Sequence, residues 1–204
     1  MRSFPDDTEV QQAAKSMLEA SQFFHQRGWL LGTCGNLSVK VAPGRILVTP
    51  SGRDKSRLRP DDFLLVDEQG VTVAGHEGKA SEELAVHQQI YRLTSARAVY
   101  HVHSVPNNLA SHLWRQQGYV LFEGIEMIKG IAGKALHDQI FLPIASNHQC
   151  MTELSQSVAD VLRPEVPAVL VHQHGIYAWG DHPDVARRHI EIFEFLLDYV
   201  VRLR

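Results

Sequence analysis

The sequence predicts an α/β fold with a mixed, largely antiparallel central sheet flanked by helices, and three observations predict it. A long amphipathic helix comes first, three short β-prone runs with tight turns between them follow, and helical and β-prone segments then alternate up to a last helix. The first helix is expected to open near Asp6, with Glu9 three residues on as a capping box. Its apolar stripe is Val10, Ala13, Ala14, Met17, Leu18 and Phe24, and Gly28 stops it. The runs Asn36–Val41, Arg45–Thr49 and Phe63–Val66, separated by turn residues such as Pro43-Gly44 and Ser51-Gly52, read as an antiparallel meander. A second helix is expected over Ser81 to Tyr91, then a strand over Ala98–His103 and a polar helix start at Pro106-Asn107-Asn108. A strand near Phe141–Ile144 and a helix over Glu153–Leu162 come next. Ala168–Val171 and Gly175–Trp179 read as strands, and the final helix begins between Asp181 and Asp184 with Pro183 in its first turn. No internal repeat or linker divides the chain, so residues 1–204 are expected to form one domain.

Composition narrows the function. The net charge is −3 with acids and bases interspersed, which leaves no basic face to release counterions from a nucleic acid. No run of about 18 apolar residues is present, and the N-terminal Met-Arg-Ser-Phe-Pro-Asp-Asp lacks the apolar segment of a signal peptide. Cys34 and Cys150 are the two cysteines, too few for a disulfide framework. The expectation is a soluble, cytoplasmic protein with no nucleic-acid and no membrane partner.

The chemistry concentrates in histidines. His101 and His103 stand two apart at the end of an apolar run, and on a strand residues i and i+2 point to one face, so both imidazoles converge on one point. Neutral imidazoles so placed suit a divalent transition metal, zinc above all. A third candidate lies in Val169-Leu-Val-His-Gln-His-Gly175, where His172 and His174 face the same side if the strand continues, and spacing does not choose between them. Gly175 permits close approach of a substrate there. A remaining position filled by a carboxylate or water is what a catalytic zinc site needs.

The runs Gly32-Thr-Cys-Gly-Asn-Leu-Ser38, Thr49-Pro-Ser-Gly52, Lys79-Ala-Ser-Glu-Glu83, His101-Val-His103 and His174-Gly175 resemble, in order and approximate spacing, the class II aldolase family. Within it, Glu126-Met-Ile-Lys-Gly130 and His174-Gly-Ile-Tyr-Ala-Trp-Gly180 are similar to the sugar-phosphate dehydratases of methionine salvage. This resemblance implies a class II aldolase-like fold and one zinc ion per subunit held by His101, His103 and His174. It also implies a small sugar-phosphate substrate bearing a methylthio group, and a homotetramer with sites near subunit boundaries.

The resemblance also assigns roles to residues that carry a plainer reading of their own. Glu83 matches a glutamate that in the related aldolases meets the metal and moves protons; by itself it is an acid favoured in the first turn of a helix. Glu126 matches the general acid/base of the dehydratases; by itself it is an acid in a mixed apolar stretch that Lys129 could pair. Gly35, Asn36, Ser51, Gly52 and Ser81 match phosphate-contacting positions; by themselves they are turn and cap residues whose N–H groups and hydroxyls suit an anion. Thr33 and Lys55 are weaker candidates for the same pocket, Lys55 because a compact ammonium there could add charge. A sugar-phosphate aldolase or epimerase is the alternative within the family, and adducin's non-enzymatic head domain is a third reading that the histidine set disfavours. The last helix, with Phe193, Phe195 and Tyr199, could pack on a neighbouring subunit or inside the core.

Overall fold

The computed structural model describes residues 8–73 and 78–204. Helix α1 (Thr8–Gln26) buries Val10, Ala13, Ala14, Met17 and Phe24, the stripe its periodicity predicts, while Asp6 of the predicted capping box lies outside the described residues. Strands β1 (Asn36–Ala42), β2 (Arg45–Val48) and β3 (Leu64–Asp67) form the expected antiparallel meander. Helix α2 (Leu84–Leu93) leads to β4 (Ala98–Val102), and α3 (Val105–Leu113) follows at once, its N-terminus capped by the Ser104 hydroxyl, which accepts from Asn107 N–H. Then come β5 (Tyr119–Phe122), β6 (Ile140–Ala145), α4 (Met151–Val161), β7 (Ala168–Val171), β8 (Gly175–Gly180) and α5 (Pro183–Arg202).

The strands make one sheet in the order β3-β2-β1-β4-β8-β7-β6-β5, antiparallel throughout except for β6 with β7. Period-2 alternation splits the core cleanly between its two faces. Ala98, Tyr100 and Val102 of β4, with Leu170 and Ile176, join residues of α1 and α5 on one face. Val99, Val169, Tyr177 and Trp179 join residues of α2 and α4 on the other.

Two expectations need correction. Helix α2 begins at Leu84 rather than Ser81, because an isolated antiparallel bridge between Pro50 and Ala80 holds the preceding chain extended and Leu84 N–H then closes a turn onto Ser81 C=O at 3.1 Å. Strand β5 went unread: it is a four-residue run at the end of the sheet order, paired with β6 alone, and its exposure alternates too briefly to stand out. Phe193 is fully buried, whereas Phe195 and Tyr199 are exposed and stacked with ring centroids 6.5 Å apart.

One buried polar cluster ties α2 to β1. Ser38 Oγ lies 2.7 Å from His87 Nδ1 and 2.7 Å from the Tyr91 hydroxyl, and His87 Nε2 is buried without a partner. Burial pushes His87 from 6.5 down to about 3, with nearby Glu83 only partly opposing. The unfolded chain therefore binds this proton first, so the contribution to stability is intact above pH 6.5 and is lost as pH falls towards 3. Urea unfolding of metal-free protein should show His87→Leu losing about 4 kcal/mol less than wild type between pH 7 and pH 3. Identical pH slopes would remove His87 as the source.

Candidate metal centre

Strand register assembles the site. Asn36 pairs with His101, and His101 pairs with Tyr177, so these three residues form one row across β1, β4 and β8 on the sheet face that α2 covers. Glu83, the residue immediately before α2, sits over that row. Asn36 Nδ2 donates to Glu83 Oε2 at 2.6 Å, and the Tyr177 hydroxyl donates to the same oxygen at 3.1 Å. His101 Nε2 is 3.2 Å from Glu83 Oε2, and His174 Nε2 is 3.3 Å from Oε1. His103 stands one residue past β4, and its Nε2 still comes within 2.7 Å of His101 Nε2.

This donor set fits a metal cation. His101 Nδ1 contacts the Ile176 carbonyl at 2.9 Å, and a carbonyl can only accept, so Nδ1 carries the proton and the Nε2 lone pair faces the centre. Burial holds His101 well below its usual value and brings His103 to about 4, so both rings are neutral at pH 7 and free to donate lone pairs. Burial by itself would raise Glu83, yet the pull of His101 and His174 and the hydrogen bond from Asn36 outweigh it and keep the carboxylate ionised. Burial and the adjacent Glu83 push Tyr177 well above its usual value, which leaves its hydroxyl a donor. Ligand atoms of His101, His103 and His174 lie within 4.8 Å of one another. Three imidazoles and an anion on one point are the inventory of a tetrahedral zinc-type site.

Close packing leaves no room for side chains at two glycines. A Cβ on Gly175 would meet Val102 O at 2.5 Å and the rings of His101 and His103 at 2.8 Å. A Cβ on Gly35, whose φ is +72°, would lie 2.6 Å from His101 O.

Other sequence candidates fall in two places. The Pro50–Ala80 bridge, with Ser51 N–H bonded to Lys79 O at 2.8 Å, brings Ser51 and Gly52 alongside Ser81, two residues before Glu83. Lys55 is buried, donates to Thr33 O at 2.7 Å, and is lowered by that burial. Glu126 stands apart on an exposed 3-10 turn, Glu126–Gly130, with its carboxylate on Lys129 Nζ at 2.7 Å. Its neighbour Met127 lines a groove of about 520 Å³ together with Ser104 and Val105, which follow His103 directly. His172 lies outside the cluster and stacks on His112 at 6.2 Å, so His174 is the member of that pair that joins the centre. Sequence reasoning gave Tyr177 no role, since its partnership with Glu83 arises only from strand pairing.

A known class of protein shares this sequence pattern over nearly the whole chain. Residues 15–201 match the class II aldolase and adducin N-terminal domain, and the chain belongs to that family. It is 38% identical to a methylthioribulose-1-phosphate dehydratase of Methylococcus capsulatus over 97% of each chain, and 39% identical to one of an Exiguobacterium species over 87% of this chain and 88% of that one. Among solved structures it resembles L-fuculose-1-phosphate aldolase of Thermus thermophilus, with a TM-score of 0.73, 25% identity, and coverage of 94% of this chain and 95% of that one. A putative aldolase/epimerase/decarboxylase of Klebsiella pneumoniae shares the fold at a TM-score of 0.82 and 23% identity, over 95% of this chain and 90% of that one.

Metal analysis checks the assignment of the third histidine. His174→Ala should purify with little metal, whereas His172→Ala should retain the wild-type content. Equal content in the two variants would show that another group completes the site.

Proposed function

We propose that the protein is a zinc-dependent hydro-lyase that dehydrates 5-methylthioribulose 1-phosphate to 2,3-diketo-5-methylthiopentyl 1-phosphate in methionine salvage. The observation that carries this reading is the cluster of His101, His103 and His174 with the Glu83 carboxyl 3.2 Å from His101 and 3.3 Å from His174, in a chain more than a third identical to named dehydratases over most of its length. His101, His103 and His174 would hold one zinc ion, which supplies Lewis acidity toward the ketone and the neighbouring hydroxyl. Gly35, Asn36, Ser51, Gly52 and Ser81, with the buried ammonium of Lys55, hold the phosphate end and so place the reacting carbons.

The chain's own groups then move protons. The proton on the hydroxyl-bearing carbon next to the ketone is removed by a base, and Glu83, whose carboxylate accepts from Asn36 Nδ2 and the Tyr177 hydroxyl, is the carboxylate at the centre that we assign to accept it. The next hydroxyl leaves with a proton from Glu126, so that water departs rather than hydroxide, and the resulting enol becomes the second ketone. Glu126 is solvent-exposed, and the residue after it, Met127, lines the groove that also takes in Ser104, next to His103. Exposed Val105, Leu109, Leu113, Phe195 and Tyr199 support a homo-oligomer, a tetramer by family expectation. The described residues contain no helix long and apolar enough to cross a membrane, in keeping with a cytoplasmic enzyme.

Incubating zinc-loaded protein with the methylthio sugar phosphate, and separately with fuculose and ribulose phosphates, tests the reaction through product identity. A product lighter by one water supports the dehydratase, and release of a two- or three-carbon fragment moves the protein to the aldolases. Glu126→Gln keeps size and polarity without a transferable proton, so dehydration should slow about a hundredfold while zinc content and unfolding midpoint stay unchanged. Wild-type turnover in that variant would strip Glu126 of its role. The unphosphorylated sugar should react far more slowly than the phosphate ester, because the remote phosphate supplies binding energy used in positioning; equal turnover of the two would remove the phosphate pocket.

A further inference from the structure

His101 lies inside the β4–β8 ladder, but His174 does not. The paired residues stop at Val171 opposite Gly175, so His172, Gln173 and His174 form a three-residue hairpin loop between β7 and β8. Gln173 in its middle has φ +50°, a left-handed conformation that glycine ordinarily supplies. A loop that carries a ligand and holds a non-glycine residue in this conformation needs an external hold.

Helix α3 provides one. Ser111 Oγ accepts from the Gln173 N–H at 2.9 Å, and Asn108 Nδ2 lies 3.0 Å from the His174 carbonyl oxygen. Three acceptors fix the Asn108 amide, since the same nitrogen is 3.0 Å from Ser104 O and 3.0 Å from Asn107 Oδ1. The helix is anchored in turn. Asn107 Nδ2 donates to Glu194 Oε1 at 2.7 Å and to Val102 O at 3.3 Å, and Ser104 Oγ donates to Glu194 Oε2 at 2.5 Å. Ser104 follows His103 directly, so one helix touches both ligand-bearing segments. Glu194 and Asn107 are fully or almost fully buried, so this anchor is a closed polar network with its carboxylate satisfied by two donors.

We propose that Asn108, assisted by Ser111, is a positioning residue for the metal centre: α3 clamps the hairpin loop carrying His174 and so sets its separation from His101 and His103. The proposal rests on the metal reading above and adds what holds the third ligand in place. Groups that hydrogen-bond a metal-ligating side chain commonly cost ten- to a hundredfold in affinity or activity when lost, and Asn108 acts one step further out, through the backbone that carries the ligand.

Cobalt(II) titration of metal-free protein tests it, because the visible bands of cobalt report ligand geometry as well as affinity. Asn108→Ala should raise the cobalt dissociation constant at least tenfold and shift the bands. Asn108→Asp, which turns an acceptor toward three oxygens, should do more. Thr94→Ala serves as a control, since it deletes a side-chain bond to Ile90 O at the far end of α2 and should leave both readouts unchanged. Wild-type affinity and bands in Asn108→Ala, or an equal loss in Thr94→Ala, would overturn the proposal. If Asn108→Ala does not fold, Ser111→Ala removes one hydroxyl and should weaken cobalt at least threefold, and wild-type behaviour there is equally fatal. Amide exchange in metal-free protein, faster at residues 173–175 in the variants, reads the clamp with no metal present. A wild-type protein that takes up no cobalt would therefore sink the metal reading while exchange still decides the clamp.

Discussion

The lateral register of β1, β4 and β8 is the constraint on which the centre depends. Because Asn36, His101 and Tyr177 are directly opposite one another, a single carboxylate over the row meets an amide, an imidazole and a phenol at once. A slip of one residue in either pairing would turn one of these groups to the other face and leave Glu83 without its donors. Gly35 and Gly175 serve the same geometry from the ends of the neighbouring strands, by letting backbone and rings approach where a methyl group would not fit.

A polar row of this kind under a helix is costly unless every member is paired, and the exceptions are informative. Asn36 Oδ1 and His174 Nδ1 are buried without partners, both at the centre. Glu194, by contrast, is closed by Ser104 and Asn107, and burial raises its carboxyl to about 7 while the two donors oppose the rise. Glu83 goes the other way, because its interactions with His101 and His174 and the hydrogen bond from Asn36 outweigh burial. A half-buried and a buried carboxyl in one domain thus take opposite protonation tendencies from their surroundings alone.

Local pattern made much of this legible. The stripe of α1, the meander and the His101–His103 pair follow from residue spacing, and the start of α5 from Pro183 in its first turn. What escaped was non-local. Nothing in the local sequence ties Tyr177 to Glu83, or Asn108 to His174, because each link spans more than sixty residues and is created by pairing or docking. Asn36 illustrates the middle case: its sequence context marked it for an anion, and in the fold its amide hydrogen bond goes to Glu83. The late start of α2 has the same cause, since the bridge at Ala80 overrides helix propensity.

The dispersed origin of the centre has a consequence for how the chain comes to life. Asn36, Glu83, His101 and His174 are contributed in that order along the sequence, and the ladder that unites them pairs residues 98–102 with 176–180. Such long-range closure is entropically slow, so the nascent chain carries scattered histidines and no chelating pocket until the final hairpin has left the ribosome. The three histidines accordingly come together late in the biogenesis of this protein, on a finished scaffold rather than an unfolded chain.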